Sequence, residues 1–194
     1  SKAYLFAGVE IRWKCAASLA SEEVPAEAVF QFPGGLADYL TDSLTKATTY
    51  AVVTGQDLRW QRCHIKSTSL LGNVLHYQQS YNQGAQEILL FDKDGNLTEG
   101  AAVNVFVVKD GVIATPPLSH KLLPGITRQI LLAILTKHSS IKVEEREISE
   151  ADVLAADEIW LTSSSKEIAP VLYVNDKPVA DGKVGDVWLT VQQL

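Results

Sequence analysis

Residues 87–115 read EILLFDKDGNLTEGAAVNVFVVKDGVIAT, four apolar runs divided by turn residues. Glu87–Phe91 and Asn96–Glu99 flank Lys93-Asp94-Gly95, and Val103–Val108 and Val112–Thr115 flank Lys109-Asp110-Gly111. Asp-Gly between apolar runs is a strong local hairpin signal, because both residues tolerate the left-handed backbone of a tight turn. Working outward, Ser67–Gln83 predicts a helix with Leu70, Leu71, Val74, Leu75 and Gln78 on one face. Ala51–Thr54 and Leu58–Cys63 before it read as short strands. Downstream, Arg128–His138 predicts an apolar-rich helix after Pro124-Gly125. Val143–Arg146 and Glu158–Thr162 read as strands around a short helix, Ser149–Ala155. Val171–Val174, Pro178 and Asp181-Gly182 predict a third hairpin, and Asp186–Leu194 a closing helix.

The front of the chain has a different style. Val9, Ile11 and Trp13 alternate with charged residues, as in a half-buried strand. A polar loop over Ala16–Glu27, a strand over Ala28–Phe32 and a helix carrying Leu36, Tyr39, Leu40 and Leu44 complete a β-loop-β-α segment. It is too short to bury a core alone. The division expected is residues 1–44, a junction over 45–50, and 51–194.

The 194 residues are 46% apolar and 21% charged, an ordinary globular balance for a mixed α/β (α+β) fold. The longest apolar run, Ile130–Leu135, is far below a membrane span, and no signal peptide opens the chain. A net charge of −6 without a basic cluster argues against nucleic acid as partner. Two cysteines make no disulfide framework, and neither cysteine nor histidine spacing suggests a metal. A cytoplasmic location is expected.

Four places carry chemistry. Lys66 ends the run Arg59-Trp60-Gln61-Arg62-Cys63-His64-Ile65, where apolar surroundings and two arginines would favour the neutral amine that attacks a carbonyl. A solvated lysine at a strand end is the plainer reading. Glu99 leaves a hairpin into small residues, where a burial would demand a cationic partner; an exposed strand-end glutamate is the alternative. Gly125, Ile126 and Thr127 open a helix and could bind an anion through free N–H groups, or form an ordinary cap. Thr162-Ser163-Ser164-Ser165 could add hydroxyls to such a cup, though hydroxyl runs also form plain loops.

In this order the motifs resemble the class IV (fold-type IV) aminotransferases that use pyridoxal 5'-phosphate (PLP). The resemblance runs over residues 51–194 and rests on Glu99, Asn104-Val105-Phe106, Ile113-Ala114-Thr115 and Leu123-Pro124-Gly125-Ile126-Thr127-Arg128. Arg62-Cys63-His64-Ile65-Lys66-Ser67 looks like the D-amino acid aminotransferase branch. The resemblance implies a barrel-like domain and transamination between a D-amino acid and a 2-oxo acid, in a dimer. It implies that Lys66 forms the Schiff base and shuttles the proton, that Glu99 holds the pyridine nitrogen protonated, and that Leu123 packs on the ring. Gly125, Ile126 and Thr127, with Ser163 and Ser164, would bind the phosphate, and Arg59 and Glu87 would pair near the lysine. His64 stands where an acid is usual, and Ala102 where a serine contacts the cofactor region.

Residues 2–44 instead resemble a trailing piece of the bacterial topoisomerase IV ATPase subunit (ParE-like), through Ser1-Lys2-Ala3-Tyr4-Leu5-Phe6-Ala7-Gly8-Val9-Glu10-Ile11 and Phe30–Leu40. The pair of resemblances implies a chimera. Its front segment would replace the domain that supplies a phosphate-binding arginine in the family, with weak turnover or none as the consequence. A non-catalytic recombined protein, or an ATPase-subunit fragment, are the competing expectations.

Overall fold

The computed structural model describes residues 2–6, 9–13 and 47–194, in two compact units, Ser1–Lys46 and Ala47–Leu194. In the first unit β1 (Lys2–Phe6) pairs antiparallel with β2 (Val9–Trp13), the strand expected from its alternation. The loop, second strand and helix expected over residues 16–44 lie outside the described residues.

The second unit carries a nine-stranded mixed sheet. Its strands are β3 (Tyr50–Gln56), β4 (Glu87–Phe91), β5 (Leu97–Gly100), β6 (Asn104–Lys109), β7 (Val112–Thr115), β8 (Val143–Glu145), β9 (Glu158–Ser163), β10 (Glu167–Val174) and β11 (Lys177–Pro178). Their order is β5-β4-β3-β10-β9-β6-β7-β8, with β11 added on β10. β3 runs parallel to β4 and β10, and β7 to β8; the other pairs are antiparallel.

One short connection shows that the sheet is curled. β5 and β6 stand first and sixth in the order, yet only Ala101, Ala102 and Val103 join them. Four Cα steps reach about 15 Å, whereas five strand spacings in a flat sheet span about 24 Å. The ends must therefore come together, as in a barrel. Alternation then sorts each strand into an inner and an outer row. Val105, Val107, Ile159 and Leu161 point into one cluster with Val52, Leu89, Phe91 and Ile148. Phe106, Val108 and Trp160 point into a second, against Leu131 and Leu135 of helix α2 (Ile126–His138) and Trp188 of α4 (Asp186–Val191). A capping box formed by Ser149 and Asp152 starts the short α3 (Glu150–Leu154).

The two Asp-Gly hairpins form as the sequence predicts. Gly95 sits at φ +80°, and Asp110 and Gly111 at +50° and +75°. The third hairpin turns earlier than expected, at Asn175-Asp176 (φ 50° and 61°) and not at Asp181-Gly182. Both residues tolerate the left-handed region, so they close the two-residue link from β10 to β11.

Two expectations need larger correction. Leu58–Cys63 is not a strand: β3 ends at Gln56, and the chain continues irregularly to α1 (Leu71–Asn82). The last ladder-like bond is Asp57 N–H to the Phe91 carbonyl at 2.7 Å; beyond it Arg59 is drawn to Glu99 forty residues away and Leu58 N–H donates to His76 Nε2 at 3.2 Å, so the segment leaves the sheet. Helix α1 also turns its apolar row outward. His76 and Ser80 are buried, while Leu71, Leu75 and Tyr81 are 70%, 61% and 71% exposed. Among the described residues, no helix is long and apolar enough to cross a membrane.

Candidate functional site

The site starts from an aspartate and an arginine two residues apart. Asp57 Oδ1 accepts from Arg59 Nε at 3.0 Å, and Asp57 Oδ2 from Arg59 Nη2 at 2.8 Å, a bidentate pair. The guanidinium then reaches a second carboxylate, donating from Nη1 to Glu99 Oε1 at 2.6 Å, and a carbonyl, from Nη2 to Lys121 at 3.2 Å. All three charged side chains are at least nine-tenths buried. Arg59 holds Asp57 below the usual carboxylate range, although burial opposes this. Burial wins at Glu99, whose carboxyl is pushed up despite Arg59.

The other oxygen of Glu99 is tied to the start of α2. Glu99 Oε2 accepts from Leu123 N–H at 3.0 Å and from Asn104 Nδ2 at 3.3 Å. Asn104 Nδ2 also donates to Leu123 C=O at 2.9 Å, and its Oδ1 fills the space where a Cβ on Gly125 would stand. Gly125 is the N-cap of α2, with no side-chain cap and no acid in the first turn. The free N–H groups here form an electropositive helix end suited to an anion.

β6 and β9 bring the hydroxyls to the same place. Asn104 pairs across the ladder with Thr162, so their side chains share one face of the sheet. Thr162 is 2% exposed, and its Oγ1 has no partner among the described residues. Ser163 Oγ accepts from Lys166 N–H at 3.1 Å and lies 3.3 Å from Ser165 Oγ; Ser164 is exposed. Glu99, Leu123 and Gly125 are thus gathered around Asn104, with Ile126 and Thr127 next in the chain at the start of α2 and Ser163 and Ser164 next after Thr162.

Lys66 and Glu87 stand differently. Lys66 is exposed, on the loop before α1, and makes no hydrogen bond or ion pair with a described residue. No strand delivers it, and the described residues do not supply the apolar cover expected from the sequence. Nor does Arg59 pair with Glu87. Arg59 follows the end of β3, whereas Glu87 opens β4 beside Val52, near the start of β3. Glu87 instead accepts from Ile88 and Ala101 N–H at 3.0 and 2.9 Å, and its Oε2 is unpartnered among the described residues.

That orphan oxygen yields a stability prediction. Burial pushes the Glu87 carboxyl above the ordinary glutamate value of 4.5, against the pull of backbone donors and of Lys166. A carboxyl raised on folding stabilises while protonated, and that contribution disappears as pH rises through its folded value. The contribution of Glu87 to stability is expected to fall as pH rises above 4.5, and Glu87→Gln to flatten the profile there. Denaturant melts at each pH check this; parallel profiles for the two proteins would refute it.

Asp57 carried no role in the sequence reading, Asn104 entered it only within the motif Asn104-Val105-Phe106, and Thr162 only as one of four hydroxyls that could complete an anion cup. Asp57 had a local signal, an acid two residues before Arg59 at a strand exit. Asn104, a polar residue heading an apolar strand, had another. Thr162 had only its place in a hydroxyl run.

A curled mixed sheet with a buried carboxylate beside an uncapped helix start defines a class of cofactor-binding α/β protein. The Amino-transferase class IV family description matches residues 36–174, and the chain belongs to this family. It is 39% identical over 142 residues to the D-alanine aminotransferase of Listeria monocytogenes serotype 4b (strain F2365), covering 73% of this chain and 48% of that protein. To the D-alanine aminotransferase of Bacillus licheniformis it is 37% identical over 142 residues, with 73% and 50% covered. Among solved structures, a T.th. branched-chain amino acid aminotransferase complexed with N-(5'-phosphopyridoxyl)-L-glutamate superposes with a TM-score of 0.68 at 27% identity, over 74% of this chain and 50% of that one. The branched-chain aminotransferase from Thermobaculum terrenum in PLP form, at TM-score 0.72 and 20% identity over 78% and 51%, shares the fold. The chain spans about half the length of these relatives.

Proposed function

We propose that this chain carries the cofactor-holding part of a PLP-dependent transaminase acting between a D-amino acid and a 2-oxo acid. The observation that carries the reading is the Asn104 bridge, which joins the buried carboxylate of Glu99 to the uncapped start of α2. PLP is the cofactor of this family, and the donor set fits it. Ile126 and Thr127 N–H, the Thr127 hydroxyl and the Ser163 and Ser164 hydroxyls would hold the phosphate. Glu99, kept in place by Arg59, would hold a protonated pyridine nitrogen, and Leu123 would border the ring. When bound, the cofactor supplies an electron sink for proton removal at the amino acid α-carbon.

Lys66 Nζ would take up that proton and return it. The exposure of Lys66 among the described residues supports slow turnover by these 194 residues. The names of the D-alanine aminotransferase relatives support the D-amino acid. The exposed row of Leu71, Leu75 and Tyr81 supports association of the chain into dimers.

A titration with PLP tests the reading. The protein is expected to develop a visible absorbance that D-alanine changes and L-alanine leaves alone. No spectral change with PLP would overturn the cofactor assignment; a response to L-alanine alone would overturn the stereochemical one.

A further inference from the structure

The bound phosphate would bring a charge of about −2 to a seat made of neutral donors. Most cations of the site are committed elsewhere. Arg59 is held by Asp57 and Glu99, Arg128 by Glu145 at 2.6 Å, and Lys121 by Asp92 at 2.6 Å. Lys66 is the proposed reacting amine. Lys166 is different: it makes no ion pair with a described residue, and its Nζ rests over the Tyr50 ring, 5.3 Å from the centroid. A cation–π contact holds an ammonium loosely compared with a hydrogen-bonded carboxylate.

The strand pairing puts Lys166 at the right end of the sheet. β9 ends at Ser163 and β10 starts at Glu167, so Lys166 closes the hydroxyl turn between them. Asn104 opens β6 opposite Thr162, beside Gly125. Tyr50 and Glu87 open β3 and β4, and Gly100 closes β5 at the same end. The unpartnered Thr162 Oγ1, in a residue 2% exposed, lies on the face shared with Asn104. Lys166 is therefore an uncommitted cation one residue beyond the serines and on the same rim as the start of α2.

We infer that Lys166 is the phosphate-binding cation of this chain, swinging from the Tyr50 ring to the anion held at the start of α2 and the Ser163–Ser165 turn. The assignment rests on the function proposed above. It makes the choice of ligand a matter of the phosphate: the same ring without a phosphate gains nothing from Lys166.

The test compares PLP with pyridoxal, by absorbance titration, on wild-type, Lys166→Ala and Lys166→Arg proteins, and adds inorganic phosphate in a thermal-shift arm. Losing one charge-assisted bond is expected to weaken PLP about tenfold or more in Lys166→Ala. Pyridoxal affinity should stay unchanged, and Lys166→Arg should recover most of the loss. Inorganic phosphate should raise the melting temperature of wild type more than that of Lys166→Ala. PLP binding equal to wild type in Lys166→Ala, or an equal loss for PLP and pyridoxal, would overturn the assignment. If wild type bound no PLP but phosphate still protected it through Lys166, the cofactor reading would fail and the anion site would stand. With neither ligand bound, both fail.

Discussion

Lys66→Ala is expected to abolish covalent capture of the cofactor and to lower any transamination by about a hundred- to ten-thousandfold, the range for loss of a positioned acid–base group. Treating the PLP-loaded protein with borohydride should leave a phosphopyridoxyl mass on the peptide containing Lys66, and none anywhere in Lys66→Ala. The prediction is demanding because Lys66 is exposed and unpaired among the described residues, so its geometry does not by itself favour reaction. What favours it is the loop that carries it. Arg59 fixes one end through Asp57 and Glu99, and Cys63 N–H donates to His120 C=O at 2.8 Å on the segment leading to Leu123 and Gly125. The loop is thus attached at both ends to residues of the proposed cofactor seat. The affinity of Lys66→Ala for PLP should survive in part, because the proposed phosphate and pyridine contacts are assigned to other residues. A phosphopyridoxyl mass on Lys166 instead would move the reacting amine to the turn between β9 and β10. That result would also overturn the assignment of Lys166 to the phosphate.

Legibility followed the range of the interactions. The Asp94-Gly95 and Asp110-Gly111 turns are set by backbone conformation at one or two positions, so the hairpins could be read from residues 87–115 alone. β9, α2 and α3 likewise match their expected spans to within a few residues. The segment after β3 failed because its fate depends on partners far along the chain. Arg59 is claimed by Glu99, forty positions away, and by the carbonyl of Lys121. Helix α1 shows the limit of periodicity. Its apolar row was visible, but a pattern tells which residues share a face and not whether this unit covers that face. His76 and Ser80 lie inside because Leu58 N–H and the Tyr77 carbonyl give their polar atoms partners. At the site, the motifs pointed to Glu99, Leu123, Gly125 and Thr127 one by one. That Asn104 bridges Glu99, Leu123 and Gly125 required knowing that β5 and β6 meet.

Arg59→Ala is expected to cost about 3–5 kcal/mol of stability at neutral pH, the range for breaking a buried ion pair from one side. Asp57 would keep two donors, Thr98 Oγ1 at 2.8 Å and the main-chain N–H of residue 59 at 3.0 Å, and Glu99 would keep Leu123 N–H and Asn104 Nδ2. Neither carboxylate would keep a cation. Wild type gains from Asp57 above the usual carboxylate value, and that gain is lost as pH falls through its lowered folded value. In the variant both carboxyls should rise, so acid would relieve the buried charge and stabilise it. The difference between the two proteins should therefore shrink from about pH 7 toward about pH 4. Arg59→Lys separates charge from shape: an ammonium restores one positive charge but cannot span Asp57 and Glu99 with the same fork. It should recover part of the stability while leaving PLP affinity low, because Glu99 is no longer held at its angle. Chemical denaturation across pH, with PLP titration of both variants, checks these expectations. A stability loss independent of pH would mean that Arg59 acts through the packing of its stem against Gly72, and that Glu99 does not depend on its charge.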